Sequence, residues 1–276
     1  MRKFKLINAR GEEFDLMRKD AFFSSPAGLG IAKDYDFMRT GSAFSPTELF
    51  NSQKNVNGEI VFKSYEIYKE FTLFVAYTPL KLAYMPLNEW AYLDGYITGL
   101  EKTEITVKEQ RLICPMEFIG TSMWYILRGA KRTSQPAINA KLYNYQYDYE
   151  YADELNGVLR ILNNSSEDAP ATISIFGPIE DPTWTLAVNN KTTMSGAMSG
   201  TIADGNKLVI VSRDGELEIA EYVVSTNTFV ANRYQDCDFS RENFIYAPPG
   251  QSTLIIGGIG SVINAWVEVT EIHETI

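Results

Sequence analysis

The sequence predicts a mainly β fold in two domains: an N-terminal β-sandwich with one α-helix packed on it, then a C-terminal β-sandwich or jelly roll. Three observations predict it. Apolar residues alternate with period two through the first half. A single stretch near residues 64–75 carries a helical stripe. After a polar, proline-containing segment at 128–140 the chain reads as short strands between turn residues. A length of 276 residues fits two domains at roughly 100 to 200 residues each. The boundaries are set at 1–130 and 131–276.

In the first domain Phe4 and Leu6, Ile60 and Phe62, then Leu80, Leu82 and Tyr84, and finally Ile105 and Val107 mark half-buried strands. The helix lies between two of them. Ser64 can cap it, Glu66 suits its positive end, Ile67, Phe71, Phe74 and Val75 form one apolar stripe, and Thr78-Pro79 stops it. The stretch from 22 to 55 differs in kind. Pro26, Gly28, Gly30, Gly41 and Pro46 give it turn chemistry, yet Phe22, Phe23, Phe37, Phe44 and Phe50 sit among those turns. Two readings stand: the rings fold back onto their own domain, or part of the segment is an arm that docks on a neighbouring subunit through Phe37, Phe44 and Phe50.

The second domain opens on "KLYNYQYDYEYA", where Tyr143, Tyr145, Tyr147, Tyr149 and Tyr151 share one strand face. That face is either covered by a neighbouring domain or subunit, or is a platform for sugar rings. "ATISIFG", "TWTLAV" and "KLVIV" are further strands, and Asp214-Gly215 is expected to join "KLVIVS" to "ELEIAEYVV" as a two-residue hairpin. Val267 and Val269 share the inner face of a final strand, for which pairing with the domain's first strand is one arrangement.

Composition bounds the chemistry. Hydrophobic residues make up 45% and charged residues 22%, enough for packed cores. Lys plus Arg balance Asp plus Glu at 16 to 16 over residues 1–130, but stand at 9 to 19 over 131–276, so the net charge of −10 lies wholly in the second half. Such a surface repels phosphate backbones. Neither a secretory signal nor a membrane span is expected, because polar residues interrupt every short apolar run and "STLIIGGIGSVINAWV" holds three glycines and an asparagine.

A catalytic reading finds little support. The only histidine is His273, and Cys114 and Cys237 stand 123 positions apart, without zinc-site spacing. Cys114 reads as a buried core thiol. "GLG" at 28–30 and "GGIG" at 257–260 lack the strand, helix and lysine of a phosphate loop. Glu167-Asp168 and Glu180-Asp181 read as solvated turn acids, and Met194 and Met198 as part of a mobile loop tip. No catalytic residue, metal site or cofactor is expected. Trp184 reads more readily as core than as ligand platform.

Taken in order, "LINARGEEFDL", "SPAGLG", "GEIVFKSYEIYKEFTLFV", "LKLAYMP" and "RLICPMEFIGTSMWY" resemble the N-terminal domain of the distal tail (Dit) proteins of long-tailed phages, the siphophages, of Gram-positive bacteria. The resemblance covers about 1–127. It is looser beyond, resting on the linker, "DPTWTL" and the terminal strand. It implies a tail-tube-like ring domain followed by a galectin-like domain, assembled as a homohexameric adaptor ring at the tail tip of the virion. The implied partners are other copies of the chain, the tail-tube protein, the tail-associated hub protein and the receptor-binding baseplate proteins. DNA would pass through the channel unread. The alternative is a carbohydrate-binding or host-attachment module presenting Tyr145, Tyr147 and Trp184. Galectins hold sugar with a histidine, asparagines, arginines and a tryptophan on one sheet face, and this half has His273 alone, which speaks against that site.

Overall fold

The structure is a computed structural model and describes residues 2–105, 110–133, 157–260 and 263–276. It forms two compact units, Met1–Ile126 with Ile272–Ile276, and Leu127–Glu271. The fold is mainly β, with one α-helix among the described residues, as the alternation predicts.

Along the first unit run β1 (Lys3–Ile7), β2 (Glu13–Asp15), β3 (Ala21–Ala27), β4 (Lys33–Thr40), β5 (Ala43–Asn51), β6 (Asn55–Phe62), α1 (Tyr65–Val75), β7 (Leu80–Met85), β8 (Ala91–Leu100), β9 (Leu112–Gly120) and the start of β10 (Trp124–Thr133), which from Leu127 on belongs to the second unit. An antiparallel sheet in the order β2-β1-β7-β8-β9-β6-β3 makes the body. Its ends approach each other. The Leu16 amide donates to the Phe4 carbonyl (2.9 Å) and the Phe23 amide to that of Leu16 (2.8 Å), so the sheet curls round its own core. Inside, Phe4 stacks on Tyr84 and meets Phe23 edge-on.

Helix α1 forms where the stripe places it, with Ser64 as N-cap. A hydrogen bond from Ser64, followed by one from its own backbone amide, holds the Glu66 carboxyl below its usual range. Phe71 is fully buried between Phe14 (ring centroids 5.1 Å) and Phe62 (5.3 Å), while Ile67, Phe74 and Val75 pack against the same core. Burying the Phe71 ring stabilises the helix's attachment by about 2 kcal/mol.

The second unit holds β11 (Gly157–Asn163), β12 (Ala169–Phe176), β13 (Ile179–Val188), β14 (Lys191–Ala197), β15 (Thr201–Ile202), β16 (Asn206–Val211), β17 (Glu218–Val223), β18 (Phe229–Asn232), β19 (Tyr246–Ala247), β20 (Gly250–Ile259) and β21 (Asn264–His273). Two sheets, β18-β17-β16-β12-β21 and β11-β20-β13-β14, enclose one apolar core. Ile173, Ile175, Leu208 and Val267 come from one sheet, and Leu159, Trp184, Leu186 and Leu254 from the other. This is a β-sandwich.

Several expectations are corrected. Residues 22–55 lie mostly in strands β3, β4 and β5, not in a long loop. Ile105 is exposed and outside any strand, and Val107 lies outside the described residues; β8, which no expectation covered, occupies the central position instead. Residues 128–133, expected to open a linker, continue β10. Asp214-Gly215 does lie between paired strands, but Val211 faces Glu218, so the connection is longer than two residues; its turn closes from the Glu216 amide to the Arg213 carbonyl (3.0 Å). Strand β21 pairs with β12 in register Val269 to Ala171, while β11 pairs with β20. Met194 belongs to β14 and Met198 is buried, so neither is on a mobile tip.

Gly28 has a backbone reason, not a phosphate-binding one. Its φ is +83°, and a Cβ there would stand 1.9 Å from the Asn55 carbonyl oxygen. Gly30 has open space around it. We expect Gly28→Ala to cost roughly 2–3 kcal/mol and Gly30→Ala under about 1 kcal/mol, read as the fall in thermal midpoint of the full chain. Equal midpoints for the two variants would refute the close approach.

Candidate functional site

The site-like feature of the first unit is a hairpin that the sheet does not absorb. β4 and β5 pair only with each other among the described residues, through a Gly41-Ser42 turn in which Gly41 has φ +66°. The ladder runs from Lys33 opposite Asn51 to Thr40 opposite Ala43, and its register shifts between Asp36 and Phe37. The shift has a local cause, because Pro46 faces Phe37 and has no amide to donate; proline enters sheets at edges and bulges.

Cross-strand neighbours share a face. Tyr35 and Phe37 stack on one side (5.7 Å, 19° between planes), and the pairs Phe37–Pro46 and Arg39–Phe44 continue it. Asp34, Asp36, Met38 and Ser45 project from the other side. The aromatic side of the hairpin, which Lys33 and Arg39 share by alternation, therefore stays in water, with Phe37 58% and Phe44 68% exposed, and Met38 on the other side is exposed as well. Two of the three expected arm residues thus lie together on one exposed face. The third, Phe50, is in β5, and its side chain lies outside the described residues.

The footing of the hairpin is built from polar contacts that sequence reading missed. Lys33 pairs with Glu274 at 2.9 Å. The Ser52 amide donates to the Ala32 carbonyl (3.0 Å) and Gln53 Nε2 to that of Gly120 (2.9 Å). Lys54, only 1% exposed, donates from Nζ to the Gly30 carbonyl (3.2 Å). Burial pushes its ammonium below the ordinary lysine range; Glu274 opposes that shift and Lys33 adds to it. Nothing in the local sequence marks Lys54 as buried, because its neighbours arrive from residues 24 and 220 positions away.

The alternative ligand face is not assembled by the described residues. Trp184 is fully buried, as its reading as core expects, and its indole N–H donates to the Asn243 carbonyl (2.9 Å), so the alternative that placed it on a ligand face is corrected. Tyr145 and Tyr147 lie outside the described residues. Asp181 uses its carboxylate on the Gly200 amide (2.8 Å), a turn-closing contact. Cys114 is buried in the first core; burial, reinforced by Asp236, pushes the Cys237 thiol up to about 11. Among the described residues no three His, Cys, Asp or Glu side chains converge as a metal site, and no helix is long and apolar enough to cross a membrane.

Fold and geometry together define a class: a two-unit, mainly β protein whose most distinctive surface is an apolar hairpin. The family follows from sequence. Residues 3–121 match the model of the distal tail protein N-terminal domain, so this part of the chain belongs to the distal tail protein family. No curated protein sequence matches the chain. Among solved structures, a chain of the phage P2 baseplate in its activated conformation with Ca is similar at 14% identity, with 100% of both chains covered and a TM-score of 0.68. The same baseplate with Sr gives equal values. The Dit protein of SPP1, described as a paradigm of the hub adsorption apparatus in phages infecting Gram-positive bacteria, is similar at 7% identity over 97% of this chain and 98% of that one, with a TM-score of 0.63. At these identities the likeness is one of fold, and it extends through both units.

The footing can be probed through Lys54. Its pKa is lower in the folded chain than in the unfolded chain, so the folded state binds fewer protons between the two values, and stability rises with pH toward the ordinary 10.5. Lys54→Met removes that dependence. Urea unfolding of both proteins at pH 7 and pH 10 should show the wild type gaining on the variant at the higher pH. A pH-independent difference would contradict the desolvation of Lys54.

Proposed function

We propose that this chain is a structural component of a phage tail tip, forming a homohexameric adaptor ring. The hairpin's exposed apolar face carries the reading. A two-stranded hairpin is marginal in water by itself, and four apolar side chains held on one exposed face favour a protein partner. The family of residues 3–121 and the likeness of fold to baseplate chains support the tail as its setting.

In this reading the first domain forms the annulus and the second, galectin-like in fold, points outward. One ring face meets the tail-tube protein, the other the tail-associated hub protein, and the periphery meets receptor-binding and other baseplate proteins. DNA traverses the channel without specific contacts, and the chain works in the virion by binding, not by catalysis. A closed ring needs only moderate individual contacts, because losing one subunit breaks two of them. The carbohydrate-binding alternative loses Trp184 to the core, and no described residue favours it.

The solution mass of the purified full chain tests this directly: a stable monomer at high micromolar concentration would end the ring reading. Within it, Phe37→Ala and Phe44→Ala should each weaken assembly by about 2–4 kcal/mol. Thermal unfolding of the subunit should change by less than about 0.5 kcal/mol, because both rings are exposed in the single chain. Assembly unaltered by the double substitution would move the contact away from the hairpin.

A further inference from the structure

The first unit is not continuous in sequence. It runs to Ile126 and resumes at Ile272–Ile276, with the whole of the second unit, Leu127–Glu271, between the two parts. The late part meets the two roots of the β4–β5 hairpin. Glu274 pairs with Lys33, the first residue of β4, at 2.9 Å, and both side chains are mostly covered. The Thr275 hydroxyl donates to the Leu29 carbonyl (3.4 Å), in the run that leads into β4, and Ile276 packs on the core of the same unit. At the other root Lys54, just past β5, is buried with Nζ on the Gly30 carbonyl.

We infer that residues 272–276 are a strap that fixes the hairpin at its base and can leave that base without unfolding the body of the unit. Charge is the first reason. Lys33 enters the hairpin, Lys54 follows it, and their like charges oppose each other, whereas Glu274 acts on both with the opposite sign. Removing the acid takes away the charge that offsets that repulsion. The second reason is the division of labour among the contacts. The ladders of the body pair strands between residues 3 and 120 with one another, so they outlast the strap, while the ion pair and the Thr275 hydrogen bond fall on the hairpin's roots.

Sequence order gives the strap a consequence. Residues 272–276 are synthesised after residues 127–271, so a hairpin footed on them is incomplete until the second unit has been made. Before that point its exposed aromatic face has no fixed orientation, which raises the entropic cost of docking it on anything. The strap belongs to the single chain, whatever that chain assembles into.

Hydrogen exchange of the full chain, resolved by segment, tests this. Glu274→Gln should quicken exchange of the β4 and β5 amides by roughly two- to five-fold, the range that a partly covered ion pair supplies. Glu274→Lys, which adds a further cation at the roots, should quicken them more. Exchange in β1, β6, β7 and β8 and the thermal midpoint should stay as in the wild type, with each protein compared at equal solution mass so that assembly does not enter the readout. Hairpin exchange unchanged in both variants would overturn the strap. A rise spread evenly over the first unit would overturn it too, because residues 272–276 would then be an ordinary part of the core.

Discussion

A β-strand leaves backbone donors and acceptors along both edges and a side-chain row on each face, and a stable protein must cover most of these. The body of the first unit does so by curling, so that β3 returns to the region of β1 and β2. The second unit closes two sheets over a shared core. The β4–β5 hairpin does neither: one edge of each strand is paired, and its apolar side faces solvent. Tyr35, Phe37, Phe44 and Pro46 thus stay uncovered by the described residues of the chain.

Completion by a partner is more economical when the projecting element is held in one orientation, because less freedom is lost on docking. The hairpin's base meets that requirement. Gly28 lets the chain cross the Asn55 backbone at a distance no side chain would tolerate. Lys54 is drawn into the body by the Gly30 carbonyl, and Lys33 is tied to Glu274 in the terminal segment that belongs to the same unit. A buried ammonium is a costly anchor. Its position beside the point where the hairpin leaves the sheet accounts for its use here: it fixes the departure of the strands.

What could be read from the sequence follows the range of the interactions involved. Helix α1 was legible because its stripe, stop and first-turn acid are local, and the strands at Phe4, Ile60 and Leu80 because period two is local. The hairpin hid behind its own punctuation. Gly28, Gly41 and Pro46 signal turns, yet Gly28 answers to a backbone crossing, Gly41 to a tight turn and Pro46 to a bulge. Partner choice was not legible: β21 joins β12 because the inward rows of Val267 and Val269 meet those of Ile173 and Ala171, residues almost a hundred positions away. Trp184 was legible as core, since apolar alternation surrounds it, but its hydrogen bond to the Asn243 carbonyl depends on the fold. The aromatic face of the hairpin was half visible, as phenylalanines too numerous for a loop.

An exposed apolar hairpin carries a hazard, since unpaired strand edges recruit further strands without limit. The composition of this hairpin separates the two modes of association. Lys33, Asp34, Asp36 and Arg39 charge β4, and Pro46 breaks the donor row of β5, so open-ended addition of strands is discouraged along both edges. The stacked rings of Tyr35 and Phe37, with Phe44 and Pro46 beside them, leave the face as the attractive surface. Contact through a face has a fixed geometry and ends when the face is covered. That distinction, edges made unattractive and one face left open, favours contact through the face over open-ended addition of strands.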